Sequence, residues 1–200
     1  MSIRSRGGRR IGVFGGTFDP PHIGHLVAAI DARSALALDV VLLVVANVPW
    51  QKVGTRAISP AEDRLAMVRA AVADEPGLEA CDLEIARGGD TYTVDTLEEL
   101  RRREPDAELF VIVGADAAAG FATWRSPERV AELATLVVVD RPGVPTPEPA
   151  MGGHRWVRVD IPDLEISSTD LRRRVAEGRS IRHLVPAGAA SLVAERGLYR

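Results

Sequence analysis

Arg10-Ile11-Gly12-Val13-Phe14-Gly15-Gly16-Thr17-Phe18-Asp19-Pro20-Pro21-His22-Ile23-Gly24-His25 decides the fold. The first residues, Arg10–Gly15, are short and apolar, as a buried strand is. The last open a stretch, His25–Leu36, with helical spacing of apolar residues. Between them lies a turn rich in glycine and proline. Glycines there let backbone N–H groups approach an anion closely. A helix beginning near Gly24 points its positive end back into the same turn. His22 and His25, three positions apart at that end, can face one ligand. The turn is not a Walker loop, because no Gly-Lys-Ser/Thr follows. Its glycine spacing is not that of the dinucleotide fingerprint. A catalytic zinc needs about three protein ligands, and no third accompanies the two histidines.

Working outward, the alternation of strand and helix continues. Val40–Ala46 reads as a buried strand. Ser59-Pro60-Ala61-Glu62 reads as a capping box that opens a helix to about Asp74. Leu78–Ile85 reads as a strand, Val94–Arg103 as a helix and Glu108–Val113 as a strand. Ser126-Pro127 opens a helix to Ala134, and Thr135–Asp140 is again a strand. Arg141–Gly153 holds four prolines and three glycines in thirteen residues and reads as a loop. Trp156–Asp160 resumes as a strand. Leu171–Glu177 and Ala189–Arg196 read as helices, and Gly197 stops the last. The expectation is an α/β chain: one Rossmann-like, doubly wound domain over residues 1–200, with a mainly parallel sheet. Residues 1–9 form an N-terminal tail and 166–200 a small helical C-terminal portion. Ligands in such folds sit beyond the carboxyl ends of the strands, so the loops after Gly15, Ala46, Val113 and Asp140 are where function is sought.

Composition narrows the classes. The 200 residues carry 25 basic and 28 acidic side chains, a net charge of −3 that does not suit nucleic acid. The longest apolar run, Val40–Ala46, is far below the ~20 residues that span a bilayer. The basic N-terminus is not followed by a long apolar stretch, so it does not read as a secretory signal. Cys81 is the single cysteine, which excludes a disulfide scaffold and points to a cytoplasmic location. Lys52 is the only lysine among the basic residues, and lysine and arginine differ at a phosphate.

A second anion site stands near the C-terminus, in Ile166-Ser167-Ser168-Thr169-Asp170-Leu171-Arg172. Serine and threonine before Leu171 are good N-caps. They leave hydroxyls and N–H groups at a helix N-terminus. Ser168 and Arg172, four apart, share a helix face, so the guanidinium can reach a phosphate held by the cap. Arg173 and Arg174 read as a solvated side.

His22-Ile23-Gly24-His25 and Ile166–Arg172 together resemble the two hallmark motifs of the His-x-Gly-His nucleotidyltransferase superfamily. Asn47–Lys52, Thr91–Leu97, Gly114–Ala117, Thr123-Trp124 and Gly197–Arg200 narrow the resemblance to the bacterial nicotinate mononucleotide adenylyltransferases, actinobacterial branch. Trp50-Gln51 stands where many relatives carry Pro-His. The resemblance implies substrates ATP and nicotinate mononucleotide, products nicotinate adenine dinucleotide and pyrophosphate, and Mg²⁺ arriving with ATP rather than on a protein-built metal site. It implies a catalytic set of His22, His25, Lys52 and Arg172. ATP would be held by Gly15, Thr17, Phe18, His22, His25, Gly114, Asp116, Ile166, Ser167, Ser168, Thr169 and Arg172. The mononucleotide would be held by Asn47, Lys52, Thr91, Tyr92, Thr93 and Trp124, its ring on Trp124 and its carboxylate at the backbone of Tyr92 and Thr93. Asp116 would accept a ribose hydroxyl, or simply cap the next helix. Self-association is left open.

The competing readings are phosphopantetheine adenylyltransferase, an amide-preferring nicotinamide mononucleotide adenylyltransferase, and a nucleotide-binding regulatory module without catalysis.

Overall fold

The computed structural model describes residues 8–48, 57–140 and 155–200. Six strands form one sheet: β1 (Arg10–Gly16), β2 (Val40–Val45), β3 (Leu78–Cys81), β4 (Glu108–Gly114), β5 (Ala134–Asp140) and β6 (Trp156–Asp160). Their order is β3-β2-β1-β4-β5-β6. Every pairing is parallel, with Ile11 opposite Val40 and Leu109, and Val139 opposite Val159. The sheet is thus wholly parallel among the described residues, where a mainly parallel one was expected.

Alternation along each strand builds two cores. Val40, Val44, Leu109, Val111, Leu136 and Val138 face one side. Val41, Leu43, Val45, Phe110, Ile112, Val137 and Val139 face the other. A strand covered on both faces needs apolar residues at every position, which is why these segments read as unbroken Val/Ile/Leu runs. On the first side lie α3 (Leu83–Arg87), α4 (Thr93–Arg103) and α6 (Pro127–Leu133). On the second lie α1 (Ile23–Ala35) and α2 (Ala61–Val72). Two helices close the chain, α7 (Ser168–Ala176) and α8 (Ala187–Glu195). They bury a third cluster, Met67, Ala71, Leu171, Ile181, Val185, Ala189 and Val193, against the outer side of α2. Between β4 and α6 the chain forms α5 (Ala115–Ala119) and a 3₁₀ turn, Phe121–Thr123.

Three local expectations are corrected. Residues 78–85 are not one strand: β3 stops at Cys81, and Leu83–Arg87 is helical. β3 is an edge strand paired only with β2, which itself ends at Val45, so a longer strand would have no partner. Ser59 does not cap α2. Pro60 takes the cap position and no side chain closes the box. Ser59 instead donates its N–H to Asp19 (3.4 Å) and accepts the Arg64 side chain (2.9 Å). Helix α7 begins at Ser168 rather than Leu171, with the Ser167 hydroxyl accepting the Asp170 N–H at 3.1 Å. Other boundaries shift by up to two residues. The loop expected over residues 141–153 lies outside the described residues.

Candidate active site

The strand order reverses between β1 and β4, and the turns leaving their carboxyl ends meet there. The β1 turn is heavily tied down. Phe18 adopts φ +49° and is buried, its ring edge-on to Phe14 (centroids 6.0 Å) and to His25 (5.0 Å). A Cβ on Gly16 would stand 2.8 Å from the Phe18 ring, so the turn requires glycine there. Gly15 has open space around its Cα. Thr17 is buried, and Phe18 serves as the floor under His25.

His22 and His25 stack, ring centroids 3.7 Å apart. The His22 N–H donates to His25 Nδ1 at 3.1 Å. With Nδ1 an acceptor, the His25 ring carries its proton on Nε2. Gly24 leaves room for this arrangement, since a Cβ there would come within 3.1 Å of His22 Nδ1. His22 is 8% exposed. Desolvation drives its pKa down to about 4, so it is neutral at pH 7. Its Nδ1 is buried without a hydrogen-bond partner among the described residues.

The C-terminal motif docks on this turn. The Ser168 hydroxyl donates to the Pro20 carbonyl (2.9 Å). Arg172 donates to the Asp19 carbonyl (2.8 Å) and to Thr169 Oγ1 (3.1 Å). Ser168 and Arg172 therefore share a face, as their spacing predicts. Arg173 and Arg174 turn instead to Asp170, which they hold below the usual carboxylate range. Ile166 packs against the third core cluster, and Ser167 acts as the cap. The first amide of α1, Ile23 N–H, is taken by the Leu184 carbonyl at 3.0 Å, so that donor serves the fold.

Three supports were not legible in the sequence. Arg64, 1% exposed, donates to the carbonyls of Ser59, Thr17 (3.0 Å), Ala46 (2.6 Å) and Asn47 (3.0 Å). It ties the β1 turn to the end of β2. Asp19, also buried, accepts the Tyr199 hydroxyl at 2.7 Å. Burial, reinforced by Asp19, pushes the phenol upward. Glu84 is the third, on the wall of the adjoining cavity.

That cavity, about 670 Å³, is lined by Gly15–Thr17 at the carboxyl end of β1, by Val111–Val113 of β4 and Asp116 just past it, and by Thr91–Thr93, Trp124 and Glu84. Such a volume suits a small-molecule ligand. Tyr92 caps α4 and Thr93 opens it. The Arg125 guanidinium lies 4.6 Å from the centre of the Tyr92 ring. Trp124 is half-buried and tilted against Phe121 (5.3 Å). Gly114 caps α5, and Asp116 is exposed in its first turn without a capping bond. Asn47 is committed to its neighbours, donating its backbone N–H to Thr91 Oγ1 (3.0 Å) and its amide to Gly89 (2.9 Å). The histidine pair and the C-terminal motif do not line this cavity. They gather around Asp19–His22, beside it. Lys52 lies outside the described residues. Among the described residues no group of three or more His, Cys, Asp or Glu side chains is placed to hold a metal ion.

Residues 13–174, which include both motifs, match the family model described as cytidylyltransferase-like. The chain is 47% identical to a nicotinate-nucleotide adenylyltransferase of Corynebacterium glutamicum, over 96% of this chain and 88% of that one. It is 49% identical to one of Thermus thermophilus, over 96% and 100% of the two chains. Its fold resembles that of the Plasmodium falciparum nicotinic acid mononucleotide adenylyltransferase complexed with NaAD. The TM-score is 0.79 and the identity 17%, with 96% and 97% of the two chains covered; that likeness concerns the fold alone. Identity approaching one half, sustained over nearly the whole of both sequences, makes this chain a member of the nicotinate-nucleotide adenylyltransferase family.

Proposed function

We propose that this chain transfers the adenylyl group of ATP to nicotinate mononucleotide by direct in-line displacement at the α-phosphate. The products are nicotinate adenine dinucleotide and pyrophosphate. The observation that carries the reading is the docking of Ser168 and Arg172 on the turn that bears His22 and His25, next to a cavity of nucleotide size.

The nucleophile is a phosphate monoester with a second pKa of ~6, already dianionic at pH 7. It needs no general base and no covalent enzyme intermediate. What it needs is alignment and cancellation of charge between two anions. His25, held through Nδ1, offers a fixed Nε2–H donor to the reacting phosphate. His22, neutral at pH 7, is a hydrogen-bonding group rather than a standing cation. Arg172 brings the permanent positive charge, with Ser168 and Thr169 beside it, toward the β- and γ-phosphates. Lys52 is assigned to the phosphates by the same reading. Mg²⁺ would travel on the triphosphate oxygens with water completing its shell. The pyridine ring would stack on Trp124, and its carboxylate would meet the first amides of α4 at Tyr92 and Thr93. Asp116 would accept a ribose hydroxyl. The half-buried lone Cys81 supports a cytoplasmic location.

The test is pyrophosphate release with ATP and Mg²⁺ on three acceptors: nicotinate mononucleotide, nicotinamide mononucleotide and phosphopantetheine. The expected result is strong preference for the first. Preference for phosphopantetheine moves the chain to a sister activity, and silence with all three leaves a nucleotide-binding module. In the same assay His25→Ala should lower kcat by at least ~100-fold while the Kd for ATP moves far less.

A further inference from the structure

Glu84 is a buried titratable group that the reaction as proposed does not use. It sits in the one-turn helix α3, 4% exposed, on the wall of the 670 Å³ cavity. Oε1 lies 2.6 Å from the Thr96 hydroxyl, one turn into α4. Oε2 is buried and has no hydrogen-bond partner among the described residues. A carboxylate with one oxygen orphaned in a low-dielectric wall is a costly arrangement, whereas a neutral carboxyl there is not.

The neighbours do not neutralise it. Arg87, from the same helix, directs its guanidinium to Thr96 Oγ1 (3.2 Å) and pairs with Glu99 (3.4 Å). Asp95, on α4, adds like charge and pairs with Arg125 (3.7 Å). Thr91 and Thr96 contribute only hydroxyls, Cys81 stands just before α3, and Asp116 lies across the same cavity. Burial outweighs the hydroxyls and Arg87 and lifts the carboxyl to about 7.

The link to the α4 N-terminus is direct. The Thr96 hydroxyl has one proton and two acceptors in range, Glu84 Oε1 and the Tyr92 carbonyl at 3.5 Å. Ionised Glu84 claims that proton. Neutral Glu84 can donate to Thr96 itself and release the hydroxyl toward Tyr92.

We propose that Glu84 determines which pyridine the cavity takes: when its carboxyl is neutral a ring bearing its own carboxylate is accepted, and when it is ionised that ring is repelled. The inference rests on the reading that the mononucleotide ring occupies the cavity between Tyr92 and Trp124. The physical cause is like-charge repulsion behind the amides that would receive the ring carboxylate. The ring nitrogen is cationic in both mononucleotides, but the carboxamide substituent carries no charge and meets no such repulsion, so selectivity for the acid should fall with rising pH.

The experiment is steady-state pyrophosphate release at saturating ATP and Mg²⁺ from pH 6.5 to 8.5, with nicotinate and nicotinamide mononucleotides compared. Their phosphates titrate alike, so the ratio of the two KM values isolates the ring. In the wild type the KM ratio, acid over amide, should rise about tenfold or more across this range. Glu84→Gln should hold it flat. Thr96→Val, which removes the donor to the ionised form, should move the inflection to higher pH and serves if Glu84→Gln does not fold. A flat ratio in a wild type that turns over both substrates overturns the inference alone. So does a ratio that still rises in Glu84→Gln, or an inflection that Thr96→Val leaves in place. Absence of turnover with both mononucleotides overturns the proposed reaction, and this inference with it.

Discussion

At the scale of single residues, the site is held by groups that no local motif announces. Arg64 lies within an ordinary helical pattern in a chain where nearly every cation is arginine. Only the folded chain brings Ser59, Thr17, Ala46 and Asn47 around its guanidinium. Arg64→Met would leave these carbonyls without their donor. It should cost at least ~3 kcal/mol in urea unfolding, with Arg64→Lys recovering only part because an ammonium cannot span the same fork. His22 shows the opposite balance: its position is legible as a motif, its charge state is not. Its pKa of about 4 lies below the ordinary 6.5, so between those values the unfolded chain binds more protons than the folded one. Its contribution is fully present above pH 6.5 and is lost as pH falls toward 4. Denaturation of His22→Asn beside the wild type should show the wild type losing up to ~3 kcal/mol more over that window. Equal slopes would show that folding does not lower the His22 pKa.

At the scale of elements, the sequence speaks clearly where one period dominates and poorly where it must be weighed against neighbours. The strands β2, β4 and β5 are legible because burial on both faces leaves long apolar runs, and the edge strand β6 because Val157 and Val159 alternate with Arg158 and Asp160. Helix α3 is not, because Leu83-Glu84-Ile85 alternates like a strand and nothing local says that β2 has ended. The Ser59 capping box fails for a related reason: the Ser59 backbone is held by the side chains of Asp19, remote in sequence, and Arg64, and the helix opens one residue later, after Pro60. Helix α8 is legible as a helix, but its partner is not. A Cβ on Gly188 would stand 3.0 Å from the Ala70 carbonyl and 3.1 Å from its Cβ, so α8 approaches α2 as closely as a glycine allows. Gly188→Val should destabilise by ~1–3 kcal/mol in thermal or chemical unfolding. Unchanged stability would mean that the helices separate without cost.

At the scale of the whole molecule, the turn after β1 is held by distant parts of the chain. Its ties run to α2 through Arg64, to α7 through Arg172 and Ser168, and to Tyr199 through Asp19. The third core cluster continues this union, packing α7 and α8 on the back of a helix that also serves the sheet. We therefore expect a single cooperative thermal transition, with far-ultraviolet circular dichroism and Trp fluorescence giving coincident midpoints. An earlier melting of residues 166–200 would show them to be a separate unit. The presence of two phosphate motifs is legible in the sequence, and their mutual contact is inferred there only through the resemblance. The strand order that sets the cavity at the β1–β4 reversal has no local signature. The uniform direction of the strands also gives the molecule a polarity. Among the described residues the candidate site lies at the carboxyl edge, while the amino edge near the Arg10–Glu108 ion pair, Ala134 and Arg155 supplies none of the candidate residues. A molecule anchored to a bead, an electrode or a fused partner through that edge would keep its mouth turned to the solution, an orientation built in by topology rather than by surface engineering.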